Sequence, residues 1–168
     1  MISYDQSKKI LKKAKIKIKD EKINSIKSLN RVVSSNVYSN INYPTGDNAA
    51  FDGYAINSKD TNQIKKNSQK QFKIIGSIAA GSKPLKKKIK KFDAIEIMTG
   101  GIIPKGFDTI IPIEQINFYP NKKNKKYILI DQKINKYNHV RFAGSDFKKG
   151  ETVTVSYTHL RAHETMEY

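Results

Sequence analysis

The chain has 168 residues, no cysteine and no tryptophan, and its 32 Lys and Arg against 15 Asp and Glu give a formal charge of +17. That length allows one compact domain or two small ones around a sizeable core, and the lack of cysteine excludes a disulfide framework and a thiolate metal site. No apolar run reaches the length of a membrane span, and Met1-Ile2-Ser3-Tyr4-Asp5 lacks the basic-then-apolar order of a signal peptide, so a cytoplasmic protein without a membrane partner is expected.

The charge by itself suggests nucleic acid, but arginine occurs only at 31, 141 and 161. Base and phosphate recognition favours the arginine fork. The clusters Lys86-Lys87-Lys88, Lys90-Lys91, Lys122-Lys123 and Lys125-Lys126 carry no interleaved aromatics to stack on bases. They read as solvated loops, and the accompanying Asn and Ile fit codon drift in an AT-rich genome. No nucleic-acid partner is expected. The alternative that the charge keeps open is a non-catalytic basic β domain that docks RNA or serves as an assembly module.

In chain order, Ser3-x-x-Gln6 has the form of a capping box, and Ile10, Leu11 and Ala14 make an apolar stripe, so a helix is predicted over 4–15 with that stripe in the core. Ser28 has the form of a cap for a second helix carrying Leu29, Val32 and Val33. Pro44-Thr45-Gly46 marks a turn, and Tyr54-Ala55-Ile56 opens a strand. Residues 57–70 are polar and read as a long loop. Strands are predicted over 71–76, 94–98, 109–113, 116–119 and 127–131, with a hairpin turn over 120–126. Short strands without intervening helices predict a small barrel or sandwich rather than parallel βαβ units.

Three polar stretches carry chemistry. Asp47-Asn48-Ala49-Ala50-Phe51-Asp52-Gly53-Tyr54-Ala55 places Asp52 where a loop becomes a strand; a solvated Asx turn explains the same residues. Thr99-Gly100-Gly101 offers a hydroxyl and successive N–H groups, either as an anion-binding nest or as plain strand punctuation. Arg141, five residues before Asp146, has a fork suited to an oxyanion or phosphate, or to an ion pair with that aspartate. In the last stretch His159 and His163 stand four apart, but Leu160 occupies the place where a zinc-protease helix needs glutamate, so no metal site is expected there.

The first stretch resembles the "DNSAMDGYA" motif of the molybdopterin molybdenumtransferases, the MoeA and gephyrin E-domain family. Ile97-Met98-Thr99-Gly100-Gly101-Ile102-Ile103-Pro104-Lys105-Gly106-Phe107-Asp108-Thr109-Ile110-Ile111, with Glu114 beyond, resembles "IMTGAPLPxGADTVV…E". Ala79-Ala80-Gly81 fits the small "AAG" element between them, and Asn138 to Asp146 resembles "NIRRRGED". The resemblance runs from about residue 3 to 154. Residues 156–168 do not share it and resemble translated adapter sequence, so they are expected to be a non-native tail.

What the resemblance implies is an α+β, mostly β, N-terminal fragment. A helical and extended linker module would comprise residues 1–45 and 138–155, with a small β-barrel-like domain inserted at 46–137 and the C-terminal α/β pterin-binding domain absent. The family inserts molybdate into adenylated molybdopterin with magnesium-dependent release of AMP. Asp52 and Thr99 would be the catalytic positions, and Gly53, Gly100, Gly101, Arg141 and Asp146 would bind substrate or oxyanion. Magnesium would be reached, if at all, through water on Asp52. The full-length form would be a homodimer, with contact to the molybdopterin adenylyltransferase, and the fragment alone would be inactive. Three departures stand out: Ala49 replaces the motif serine, Phe51 its methionine, and Glu96 the arginine that commonly precedes "IMTG".

Overall fold

The computed structural model describes residues 2–14, 18–65, 68–82 and 87–161. The chain forms two compact units, Met1–Val37 with Thr152–Tyr168, and Tyr38–Glu151. The strands are β1 (Val37–Tyr38), β2 (Asn48–Ala49), β3 (Gly53–Ile56), β4 (Lys70–Ile78), β5 (Asp93–Ile97), β6 (Thr109–Pro112), β7 (Asn117–Pro120), β8 (Lys125–Ile130), β9 (Val140–Arg141) and β10 (Thr152–Thr154).

The larger unit is built on a six-stranded sheet in the order β6-β3-β5-β4-β8-β7. β6 and β7 are its two edges, yet only residues 113–116 separate them in sequence. Six flat strands at about 4.8 Å spacing would set those edges about 24 Å apart. A link this short reaches at most roughly 18 Å even when extended, and part of it is a 3-10 turn at Ile113–Gln115. The sheet must therefore curl. The curl brings Tyr54 on β3 within 5.7 Å, ring to ring, of Phe118 on β7. The result is the mostly β half-barrel that the strand spacing predicted.

Side chains alternate across a strand, and β3 is covered on both faces. Tyr54 and Ile56 join Phe72, Ala94, Ile111, Ile116, Ile128 and Ile130 in one core cluster. Ala55 joins Ala49, Ile78, Ile95, Ile97, Phe107 and Ile110 in a second. The predicted hairpin turn forms, with Asn121 Oδ1 accepting from the N–H groups of Lys123 and Asn124 at 3.0 Å. One pairing departs from expectation: β4 and β5 run parallel, Lys73 opposite Asp93 and Ile78 opposite Ile97. A crossover of residues 79–92 makes this available, and it leaves β5 central, where its near-continuous apolar run is buried. The polar stretch after β3 is also more than a loop. Ser58–Thr61 forms a 3-10 turn capped by Asn57, and the buried Thr61 hydroxyl donates to Ser58 O at 2.7 Å and accepts from Ile134 N at 2.9 Å.

In the smaller unit, helix α1 (Tyr4–Lys13) forms with both halves of its capping box, Gln6 N to Ser3 Oγ and Ser3 N to Gln6 Oε1. Its stripe is not core: Ile10 is 57% and Leu11 74% exposed. The second helix does not form. A 3-10 turn spans Ser25–Lys27, capped by Asn24, and Ser28 closes it rather than opening a helix. Asn30 has φ of 61°, which no right-handed helix tolerates. The chain then runs extended, and residues 30–33 exchange main-chain hydrogen bonds with 157–160: Asn30 N to Leu160 O at 3.0 Å, Leu160 N to Arg31 O at 2.9 Å and Val33 N to Thr158 O at 2.9 Å. His159 thus sits opposite Val32; His163 lies outside the described residues.

Candidate functional site

The two residues of β2 are where three distant stretches of sequence meet. On one side β9 pairs with them, Arg141 opposite Asn48 and Val140 opposite Ala49. On the other side Ala49 N donates to Gly101 O at 3.0 Å, Gly100 N to Ala49 O at 2.9 Å, and Ile103 N to Asp47 O at 2.9 Å. Asp47 ties the third stretch further, its Oδ1 accepting from Ala143 N at 2.9 Å. Each stretch is polar and turn-rich, so none has regular partners of its own. Together they satisfy one another's main chains.

After β2 the chain turns. Ala50 N donates to His139 O at 3.0 Å, and the Phe51 ring meets His139 edge-on at 5.0 Å. Asp52 follows, exposed, and its Oδ1 accepts two bonds from Thr99: the backbone N–H at 2.6 Å and the hydroxyl at 2.7 Å. These two donors hold the Asp52 carboxyl below the ordinary 3.8, the backbone N–H contributing most and desolvation opposing weakly. Asp52 is thus a carboxylate at neutral pH, with Oδ2 outside the Thr99 clasp. Thr99 spends its hydroxyl proton on Asp52, so its oxygen faces outward as an acceptor.

Gly53 sits where the backbone of β6 crosses close by. A Cβ there would lie 2.1 Å from Ile111 O and 2.9 Å from Ile111 C. The close approach that glycine permits is used here by the backbone of β6. The N–H groups of Gly100 and Gly101 are likewise engaged inside the fold, the first on Ala49 O and the second on Met98 O at 2.8 Å. The nest expected of them is therefore closed, the Gly100 N–H by the pairing of β2 and the Gly101 N–H by its own turn on Met98.

Arg141 and Asp146 form an ion pair, Nη2 to Oδ2, with both side chains partly exposed. The hydrogen bond to Arg141, more than its charge, lowers the Asp146 carboxyl, and the same bond raises the guanidinium. One bond leaves the arginine's other N–H donors available. Ser145 Oγ donates to Asp146 Oδ1 at 3.2 Å.

The departures from the motifs now have locations. Ala49 is 1% exposed and packs in the second core cluster, so the missing serine hydroxyl belongs to an apolar site. Glu96 lies opposite Tyr54 in the β3–β5 register and pairs with Lys125 at 3.4 Å. It bears on the interior of the curl and makes no contact with the Asp52–Thr99 clasp. Burial, followed by the Glu96 charge, pushes the Tyr54 phenol well above its ordinary value.

Two features were not visible in the sequence. Asn48 Oδ1 is buried without a hydrogen-bond partner. A depression of about 370 Å³ opens among Asp47, Lys59, Lys105, Asp108, Lys136 and Tyr137. Three lysines in a chain this rich in lysine carry no distinguishing local pattern. Among the described residues, no group of three His, Asp or Glu side chains is placed to hold a metal ion. No helix of the described residues is long and apolar enough to cross a membrane.

Residues 2–166 match the family model for the MoeA N-terminal region, domains I and II. A molybdopterin molybdenumtransferase of Haemophilus influenzae is 31% identical over 155 residues, covering 91% of this chain and 36% of the relative. Its counterpart in Bacillus subtilis is 26% identical over 133 residues, covering 79% and 30%. The crystal structure of a molybdopterin biosynthesis MoeA protein from Pyrococcus horikoshii superposes with a TM-score of 0.80 at 29% identity, over 98% of this chain and 40% of that one. The chain thus spans between 30% and 40% of the length of these relatives.

Proposed function

The chain belongs to the family of the MoeA N-terminal region, and on that premise we propose that it is the N-terminal part of a molybdopterin molybdenumtransferase. The parent reaction is insertion of molybdate into adenylated molybdopterin with release of AMP, carried out in the cytoplasm by a homodimer that also meets the adenylyltransferase. The observation that carries this reading is the convergence of three motif stretches on β2, which brings the Asp52–Thr99 clasp and the Arg141–Asp146 pair onto one short strand and its neighbours.

Both reactants are anions, so the reaction needs fixed donors and cations. In this chain the cation is Arg141, oriented by Asp146 and with donors to spare. The clasp supplies the opposite character. Asp52 stays ionised and Thr99 presents an acceptor oxygen, so together they receive protons or N–H groups and orient water. Gly53, Gly100 and Gly101 act by letting backbones close up around the clasp rather than by touching substrate. Magnesium takes several oxygen ligands. The described residues do not fit such a site by themselves, since Asp52 is the one carboxylate of the clasp and no ligand cluster surrounds it. No step is therefore assigned to the metal within this chain.

On this reading the unit made from both chain ends corresponds to the family's linker module, and the inserted half-barrel to its β-rich domain. The motif boundaries near 45 and 138 fall inside the 38–151 unit, and the family match runs on to residue 166, through the stretch expected to be a non-native tail, whose residues 157–160 pair with 30–33. The test is a graft. The chain replaces the matching N-terminal region of the Haemophilus influenzae relative, and molybdenum insertion is assayed. The graft is expected to be active, with Asp52→Asn lowering kcat about 100-fold and the ungrafted chain inactive. Full activity of the Asp52→Asn graft would overturn the role of Asp52. Turnover by the 168-residue chain alone would overturn its standing as a part.

A further inference from the structure

The depression of about 370 Å³ is within the size range of small-molecule sites, and it does not include Asp52, Thr99 or Arg141. Its walls come from Asp47 and from three further segments that the fold ties together. Asn57 Nδ2 donates to Gly106 O at 3.1 Å. Ser58 donates to both oxygens of Asp108, from N at 2.7 Å and from Oγ at 3.0 Å. Tyr137 N donates to Asp108 O at 2.9 Å. Tyr137 is held at φ of 67°, a conformation that costs a non-glycine residue free energy and collects at functional positions.

These ties leave an uneven distribution of charge. Lys59, Lys105 and Lys136 face Asp47 and Asp108. Asp108 has both oxygens occupied by Ser58, and Asp47 has Oδ1 occupied by Ala143 N. Among the described residues, none of the three lysines is in an ion pair. Lys136 instead lies 4.4 Å above the Tyr137 ring, which positions its ammonium at the wall. Asp108 is thus held by the protein through both oxygens and Asp47 through one, Lys136 is hydrogen-bonded to Tyr137 beside the Asp108 charge, and Lys59 and Lys105 carry no salt bridge among the described residues. Pro104 and Val140 add apolar wall.

We propose that this depression is an anion site separate from the Asp52 clasp, taking a small phosphate ester or pyrophosphate. Lysine suits such a ligand as a point charge, without the bidentate geometry that arginine would impose. The proposal does not depend on the transferase reading.

The test is titration of the full chain with sodium pyrophosphate at about 0.15 M salt, where diffuse surface charge is screened beyond roughly 8 Å. Amide NMR reports the site, and inorganic phosphate serves as the second probe. Saturable shifts are expected at Lys59, Lys105, Gly106, Lys136 and Tyr137. Lys59→Gln, Lys105→Gln and Lys136→Gln combined should weaken binding at least ~10-fold. Lys122→Gln with Lys123→Gln, and separately Asp52→Asn, should leave it unchanged. Shifts that never saturate, or equal weakening by the 122–123 pair, would show a diffuse charge effect and overturn the proposal. Tighter binding of pyrophosphate than phosphate supports a ligand reaching two lysines, while loss of binding in Asp52→Asn would overturn the separation from the clasp.

Discussion

The two units of this chain obey the same local rules and reach different ends. In the smaller unit, α1 has a complete capping box and an apolar stripe at helical spacing, yet none of its residues is buried. In the larger unit, every buried hydrophobic side chain of the described residues is found. Capping satisfies the first N–H groups of a helix and needs no tertiary partner. A curled sheet must bury its inner face, because closing the curl excludes water from it. Local hydrogen bonding therefore accounts for α1, and long-range strand pairing accounts for the core.

That contrast sets the size of each expected effect. The largest is Gly53→Ala, since its Cβ would meet the carbonyl of Ile111 at 2.1 Å and backbone cannot swing aside. A loss of about 3 kcal/mol or more is expected, read as a lower urea midpoint for the larger unit. A stable variant would mean that β3 and β6 are not so closely paired. Next comes Phe72→Ala, which empties a site 0% exposed and removes an edge contact to Phe92 at 5.4 Å. Roughly 3–5 kcal/mol is expected. Leu11→Ala on α1 should cost no more than about 0.5 kcal/mol, because that side chain is already in water. Comparable losses at Leu11 and Phe72 would erase the contrast between the units.

The smallest effect is a pH dependence. Asp52 is lowered from 3.8 in the folded chain and returns toward that value on unfolding. The unfolded state then binds more protons, so the contribution of Asp52 to stability is present above about pH 4 and is lost as pH falls through the depressed value. Asp146, lowered by Arg141, follows the same sign and window. Asp52→Asn should flatten the decline in urea midpoint between pH 6 and pH 3. Parallel profiles for variant and parent would mean that Thr99 does not clasp Asp52 in solution.

Much of the larger unit was legible. Strand positions followed from apolar runs bounded by turn residues, and their spacing gave a barrel or sandwich, between which the short β6–β7 link decided. The parallel β4–β5 pair was not, because a crossover leaves no mark in either strand's own pattern. The second helix was misread for a related reason. Leu29, Val32 and Val33 have helical spacing, but Asn30 takes a left-handed turn and the following residues find strand partners at 157–160. Spacing describes a face and does not say what the face meets. At the candidate site, Asp52, Thr99, Arg141 and Asp146 were readable as polar residues among turn signals. The Arg141–Asp146 ion pair was one of the two readings of its stretch, whereas the Asp52–Thr99 clasp and the engagement of the Gly100 and Gly101 N–H groups inside the fold were not readable.

By itself the sequence determined which side chains carry charge, where the chain must turn, and which runs are apolar enough to be buried. These are properties of single residues and their near neighbours. Only the tertiary structure decided that Thr99 would clasp Asp52 across 47 positions, and that Glu96 would pair with Lys125, 29 positions away. It also decided that Gly53 would face the carbonyl of Ile111. Each of these depends on strand order and register, which arise when distant main-chain groups satisfy one another and carry no local periodicity to read.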